Sequence, residues 1–232
     1  MLYTEQNVRA NLRVRDGKRV LYLAEGDRLT PSAQDWLRGE GIEVLPRAQA
    51  APTHYETPDG AVLAQKPEHM THLRGNVLVP KDHPRIAFRG KIDTLEAEIL
   101  LTQHTARDDA ALVKTLEQML AAVRGLIRAD VLDEPVQKLC IDSMGEAELR
   151  ERSHDPAKYY GQPHFMPSYT DGLVLLQLNR LRTAVRETEL AAYRAFRAPD
   201  GGVLRGDILL TLNRLSSLCW IEMIRRKAAQ HG

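Results

Sequence analysis

From residue 82 to the end of the chain, apolar residues recur every three or four positions, and this spacing excludes a β-rich fold for most of the molecule. Phe88, Ile92, Leu95 and Ile99 form one such row, in a segment that Asp82 can cap and that reaches about His104. Leu112, Leu116, Met119, Val123 and Ile127 mark a second, and Val136 to Arg152 reads as a third. Asp171 to about Arg197 and Asp207 to about Lys227 follow, the last with Ile208, Leu212, Leu215 and Cys219 on one side. Amphipathic helices joined mostly by short loops must bury their stripes against one another, so the expected fold is mainly α, a five-helix bundle.

The region before the bundle obeys other rules. Residues 19 to 46 read as strand, capped helix, strand: Thr30 is an N-cap with Pro31 at the first helical position, and Gly39 or Gly41 ends the helix. Residues 47 to 80 contain the four prolines Pro52, Pro58, Pro67 and Pro80 and an Asp59-Gly60 turn. They read as a linker with few regular elements and a hairpin at 53 to 64. The expected organisation is a small N-terminal α/β region with its linker at 1–65 and a helical bundle at 66–232.

With 32 basic and 31 acidic residues the net charge is +1, so the balance gives no reason to expect nucleic acid or an anionic membrane surface as the main partner. Cys140 and Cys219 both fall in apolar helical patterns that suit buried free thiols, which fits a reducing cytoplasm. The N-terminal stretch lacks the apolar core of a signal peptide, and no run approaches the 18 apolar residues of a membrane span.

Several polar constellations call for chemistry. In "RLRTAVRETELAA", Arg182, Arg186 and Glu189 fall at i, i+4 and i+7, one charged stripe beside Leu178, Leu181 and Val185. The stripe is either a solvated face or the wall of a site. Asp93 stands in the row Ile86, Gly90, Asp93, Ala97, Leu100, whose small residues invite close helix approach; a partly buried carboxylate there needs a cation, and Arg182 is the candidate. By spacing alone, a pair that only sets helix register is the more ordinary reading. The segment "KPEHMTHLRGNVLVPKDHPRIAFRG" gathers Lys66, His69, His72, Arg74, Lys81, His83, Arg85 and Arg89 ahead of a helix N-terminus, which suits either a phosphate site or a solvated basic loop. It contains no Walker motif. The eight histidines come with no H-E-x-x-H pattern and no neighbouring cysteine, and no nucleophile elbow or cysteine–histidine pairing occurs. The 20-residue stretch "SHDPAKYYGQPHFMPSYTDG" is long for a loop inside a bundle, and such loops tend to carry function.

Taken together, "RLTPSAQDWL", "KPEHMTHLRGNVLVPKDHPRIAFRGKIDTLEAEI", "IRADVLDEPV", "LRTAVRETE" and "LNRLSS" resemble the ethanolamine-utilisation type of ATP:cob(I)alamin adenosyltransferase, from about residue 28 to 224. The bundle is also similar to the propanediol-utilisation type of corrinoid adenosyltransferase, whose G-x-[IV]-D-E-L-N, R-x-x-x-R-R-A-E-R and L-N-R-L-S-D helices correspond to "GKIDTLEA", "RTAVRETEL" and "LNRLSSL".

The resemblance implies transfer of the 5′-deoxyadenosyl group of ATP to cob(I)alamin, at a site between neighbouring bundles. It further implies a homo-oligomer (trimer ahead of dimer), Mg²⁺ on the ATP phosphates and a reductase supplying electrons. Adenosylcobalamin-dependent ethanolamine ammonia-lyase and an enzyme-containing microcompartment are the implied surroundings. By the resemblance, Asp93 and Arg182 pair below the corrin and Arg186 and Glu189 complete the arginine motif. Asn213 contacts the nucleotide, Thr71 and Lys81 sit in the phosphate loop with Arg85 beside them, and Phe165 fills the space under the corrin ring. Tyr159, Tyr160, Met166 and Tyr169 compete with Phe165 for that place. Three departures stand out: Leu190 replaces the motif's closing arginine, "MTHLRGN" replaces a T-G-D nucleotide loop, and no cysteine precedes Cys140. The divalent-metal site of some relatives is therefore expected to be absent. Two other readings keep the same bundle: a non-catalytic corrinoid or nucleotide carrier, and a microcompartment interaction protein that docks through residues 19 to 46.

Overall fold

The computed structural model describes residues 2–15, 18–46 and 54–230. They divide into two compact units, one reaching to Pro67 and including Asn76–Leu78, the other comprising Glu68–Gly75 and Val79 onward.

The first unit begins with β1 (Leu2–Tyr3), α1 (Glu5–Asn11), β2 (Arg13–Arg15), β3 (Lys18–Leu23) and β4 (Arg28–Leu29), followed by α2 (Pro31–Gly39) and β5 (Glu43–Pro46). β3 and β5 pair in parallel, Val20 opposite Glu43, on either side of α2, so the strand–helix–strand reading of this segment holds. The Thr30 hydroxyl accepts from the Ala33 amide to cap α2, and Gly41 supplies the positive φ of 62° that ends it. Val8, Leu21, Ala33, Leu37 and Ile42 form its core. β6 (Tyr55–Glu56) and β7 (Val62–Leu63) make the expected hairpin within 54 to 64; residues 47–53 lie outside the described residues.

The remainder of the presumed linker is more regular than its prolines suggest. β8 (Met70–Arg74) and β9 (Val77–Pro80) are strands, separated by Gly75 at φ 48°. The side-chain alternation of "MTHLR" was the available signal.

In the second unit the long helices are α3 (Pro84–Thr105), α4 (Ala110–Leu132), α7 (Leu173–Phe196) and α8 (Gly206–Ala229); α5 (Glu146–His154) and α6 (Pro156–Tyr160) are short. The unit is thus a helical bundle, with six helices among the described residues rather than five. α7 packs against both α3 and α8, α4 against α3, and α5 against α8. The expected apolar rows all turn inward: Phe88, Ile92, Leu95 and Ile99 meet Leu178, Leu181 and Val185, with Leu212, Leu215 and Cys219 in the same core. Each fully buried Leu or Ile contributes about 1.5–3 kcal/mol of transfer free energy.

Two local readings need correction. His83, not Asp82, caps α3: its Nδ1 accepts from the Arg85 amide at 3.2 Å. Burial, and then the charges of Arg85 and Arg89, depress the His83 pKa, which favours this accepting form. The third helix does not run from 136 to 152. A hairpin of β10 (Cys140–Ile141) and β11 (Met144–Gly145) precedes α5, turning through Asp142 and Ser143 at φ 50° and 64°. The buried Ile141 and Met144 are three residues apart, a spacing that a two-residue turn produces as readily as a helix does. Cys140 consequently lies exposed on a strand, whereas Cys219 is buried.

Candidate active site

The charged stripe of α7 is the wall of a cleft. Arg182, Arg186 and Glu189 face Asn213, Ser216, Ser217 and Trp220 of α8, with Ser153, His154 and His164 closing one end around a volume of about 610 Å³. Helical spacing accounts for this: i, i+4, i+7 on α7 and i, i+3, i+4, i+7 on α8 each present one face.

Its electrostatics are unusual for a bundle. Arg182 is half-buried with its guanidinium 5.1 Å from the Trp220 ring centroid. Desolvation, and then the like charge of Arg186, pull its pKa below the ordinary arginine value. Among the described residues neither Arg182 nor Arg186 forms an ion pair. Glu189, the cleft's carboxylate, accepts from Asn213 Nδ2 at 3.1 Å, while Asn213 Oδ1 accepts from Arg214 Nη1 at 2.6 Å. These two bonds fix the Asn213 amide orientation. The site therefore offers a paired cationic charge, one oriented carboxylate and hydroxyls, a set suited to a polyanion.

The His164 end is also aromatic. Phe165, half-buried, stacks on Trp220 with centroids 5.2 Å apart and planes inclined by 18°. His164 lies with its ring nearly parallel to the same indole at 5.8 Å, and Trp220 Nε1 donates to its Nδ1 at 3.2 Å. Lys227 Nζ stands 5.7 Å from the Phe165 centroid and also pairs with the buried Asp171 at 2.6 Å, which ties the loop after Phe165 to α8. Sequence reasoning missed Trp220 altogether. Its position seven residues after Asn213, on the same face, was the signal. Tyr160 packs against the core, whereas Met166 and Tyr169 are about nine-tenths exposed, at 90% and 89%.

Thr71, Lys81, Arg85 and Asp93 do not line this cleft. Thr71 is half-buried on β8, and Lys81 is exposed and bridged to Glu68 at 3.0 Å. Arg85, expected toward the triphosphate, is committed elsewhere: its Nε and Nη2 donate to Asp130 Oδ1 at 2.9 and 2.5 Å, and Arg89 Nε donates to Oδ2 at 2.7 Å. A fully buried carboxylate requires such compensation, and Arg85 supplies it.

The expected Asp93–Arg182 ion pair is absent from the chain. Asp93 is exposed, and its row of Gly90, Ala97 and Leu100 is exposed with it. A methyl group added at Gly90 would meet nothing within 4 Å, so no close helix approach explains the glycine here. The ion pairs that do join α3 to α7 are Lys91–Glu187 at 2.8 Å and Glu98–Arg180 at 2.6 Å.

Among the described residues no three His, Cys, Asp or Glu side chains gather as a metal-binding group. A second cleft of about 540 Å³, lined by Gln118, Gly125, Lys138 and Thr211, includes Cys140 but none of the site residues expected from the sequence.

The family model for cobalamin adenosyltransferases matches residues 62–226, which takes in every residue that lines the α7–α8 cleft. The chain belongs to that family. Corrinoid adenosyltransferase EutT from Salmonella typhimurium and from Escherichia coli K12 are each 32% identical over 248 residues, covering 95% of this chain and 90% of theirs. Among solved structures, a variant PduO-type ATP:corrinoid adenosyltransferase from Lactobacillus reuteri, complexed with cobalamin and ATP, superposes with a TM-score of 0.53 at 18% identity, over 70% of this chain and 91% of that one. At that identity the likeness supports the bundle fold of the family. The family match lies mostly in the second unit, whereas the EutT relatives extend over the first as well.

Proposed function

We propose that this corrinoid adenosyltransferase works in the cleft between α7 and α8, transferring the 5′-deoxyadenosyl group of ATP to cob(I)alamin. The observation that carries the assignment is the convergence of Arg182, Arg186, Glu189 and Asn213, from two separate motifs, on one cationic cleft with an aromatic end. In the reaction the cobalt(I) electron pair forms a bond to C5′ while the C5′–O bond breaks, and that bond's electron pair leaves with triphosphate. The substrate is the nucleophile. The protein's own thiols fit this: burial pushes Cys219 up to about 12, and Cys140 lies outside the cleft.

What remains for the chain is positioning and charge. Arg186 faces the triphosphate as its charge develops. Asn213, held by Arg214 and Glu189, presents a fixed amide to the nucleotide. Glu189 alone is too sparse a ligand set for a protein-held Mg²⁺, which stays on the phosphate oxygens of ATP. Phe165 lies under the corrin, where it excludes a lower axial ligand and leaves cobalt(II) easier to reduce.

Thr71, Lys81 and Asp93 enter the site from a neighbouring copy. On this reading the exposed Asp93 row is a subunit face, and Asp93 meets Arg182 in trans in a homo-oligomer, a cyclic trimer ahead of a dimer. The division at residues 1–65 and 66–232 leaves the N-terminal α/β part outside the chemistry. A reductase supplies the electrons, and adenosylcobalamin-dependent ethanolamine ammonia-lyase uses the product, in the cytoplasm or a microcompartment within it. Among the described residues no helix is long and apolar enough to cross a membrane.

The test is complementation. Asp93→Asn and Arg182→Ala proteins, each inactive in a reductant-driven turnover assay, are dissociated, mixed and reassembled. Random equimolar assembly restores both residues in about a quarter of trans sites and in none of the sites confined to one chain. No recovery in a properly mixed oligomer rejects the trans site. Full activity of either single variant removes the pair from the mechanism.

A further inference from the structure

His164 places an imidazole in the cleft wall, beside Phe165 and exposed. Histidine is the commonest protein ligand to transition metals and binds through a ring nitrogen that has a free lone pair. An imidazole beside the corrin would thus threaten the coordination state that Phe165 serves. Its two contacts, however, decide where its proton sits. Trp220 Nε1 is only a donor, so Nδ1, at 3.2 Å, must accept. The His154 carbonyl oxygen is only an acceptor, so Nε2, at 3.3 Å, must carry the hydrogen. Both assignments specify the same neutral tautomer, and between them they occupy both nitrogens.

We propose that Trp220 and the His154 carbonyl latch His164 in a form that cannot ligate cobalt, making Trp220 a positioning residue that guards the lower axial site. Trp220 then serves twice, as the ring that Phe165 stacks on and as the donor that occupies Nδ1. The inference rests on the placement of the corrin over Phe165 proposed above.

Trp220→Phe keeps an aromatic ring for Phe165 to stack on, smaller than the indole, and removes the donor to His164. The probe is cob(II)inamide, a corrinoid without a nucleotide base of its own, bound with ATP and examined by electron paramagnetic resonance. The parent protein should show four-coordinate cobalt(II) without nitrogen superhyperfine splitting. Trp220→Phe should gain that splitting, and Trp220→Phe with His164→Ala should lose it. In the ligand-free parent, a long-range proton–nitrogen NMR correlation should show His164 as the Nε2–H tautomer, a readout that needs no variant and no corrinoid. The opposite tautomer, or a folded Trp220→Phe protein without nitrogen splitting, overturns the latch and leaves the site assignment standing. Absence of any four-coordinate signal in the parent overturns the corrin placement and the latch together.

Discussion

Asp130→Asn is the substitution that separates the bundle's structural arginines from its functional ones. It keeps the side-chain shape and removes the charge between Arg85 and Arg89. Asp130 is 0% exposed at its side chain, while those of Arg85 and Arg89 are 20% and 16% exposed. Removing one member of a buried ion pair costs about 3–5 kcal/mol. The partial exposure of both guanidiniums, which water can re-solvate, places this site at about 3. For a domain of this size each kcal/mol moves Tm by about 2–4 °C, so thermal unfolding should shift down by roughly 6–12 °C. Arg85→Ala leaves Arg89 on Asp130 at 2.7 Å and should cost less, about 1.5–3 kcal/mol for its charge-assisted bonds. Circular dichroism melts and ATP titration calorimetry well below Tm provide the two readings. ATP affinity should be nearly unchanged in both proteins. An Arg85→Ala protein with parental Tm and ATP binding weakened tenfold or more would refute the reasoning, because Arg85 would then belong to the nucleotide after all.

Three further outcomes are expected. Phe165→Ala should slow the cobalt(II)-dependent reaction far more than it weakens ATP binding, and four-coordinate cobalt(II) should fade from the spectrum; an undiminished signal in folded protein moves the role to another aromatic group. Activity should need Mg²⁺ and neither zinc nor iron, which elemental analysis of active protein checks; stoichiometric zinc or iron whose removal by chelator abolishes turnover contradicts it. Hydrogen bonding from Arg205 holds Asp207 down at about 2 against an ordinary 3.8, so its stabilisation is complete above about pH 4 and is lost as pH falls toward 2. Asp207→Asn should flatten that acid limb in Tm measured against pH, and an unchanged limb assigns the acid sensitivity to other carboxylates.

How much of this could be read in the sequence depended on the range of the interaction that decides each feature. The long helices follow from local periodicity, and so does the Arg182, Arg186, Glu189 face, because three residues on one helix keep their relation wherever the helix packs. The β10–β11 turn was hidden because two adjacent positive-φ residues, neither glycine, give no compositional sign. Arg85 and Asp130 are 45 residues apart, so nothing local distinguishes Arg85 from the other cations of its basic segment. The resemblance pairs Asp93 with Arg182, and the inference from small neighbours supplied burial for it; within one chain Asp93 is exposed and the burial is not there, since that row faces solvent. Trp220 was passed over because an aromatic residue on an amphipathic helix is ordinary until its contacts with Arg182, His164 and Phe165 are known.

The bundle thus treats its arginines in two ways, and the contrast supports the proposed site more sharply than any single motif. Arg85, Arg89, Arg205 and Arg226 each donate to a carboxylate, at 2.5–2.9 Å: the Arg85, Arg89 and Arg226 pairs join helices, and Arg205 also reaches the Ala129 carbonyl of α4. Arg182 and Arg186 lie one turn apart with no carboxylate of their own among the described residues, and Arg182 is half-buried over an indole. Desolvating a guanidinium beside another cation opposes folding, as the lowered pKa of Arg182 registers. Folding alone gives no reason for such an arrangement. A triphosphate would repel neither cation, and in the proposed trans site an aspartate from a second copy would compensate the buried one, so the uncompensated charge is what that proposal requires of a single chain.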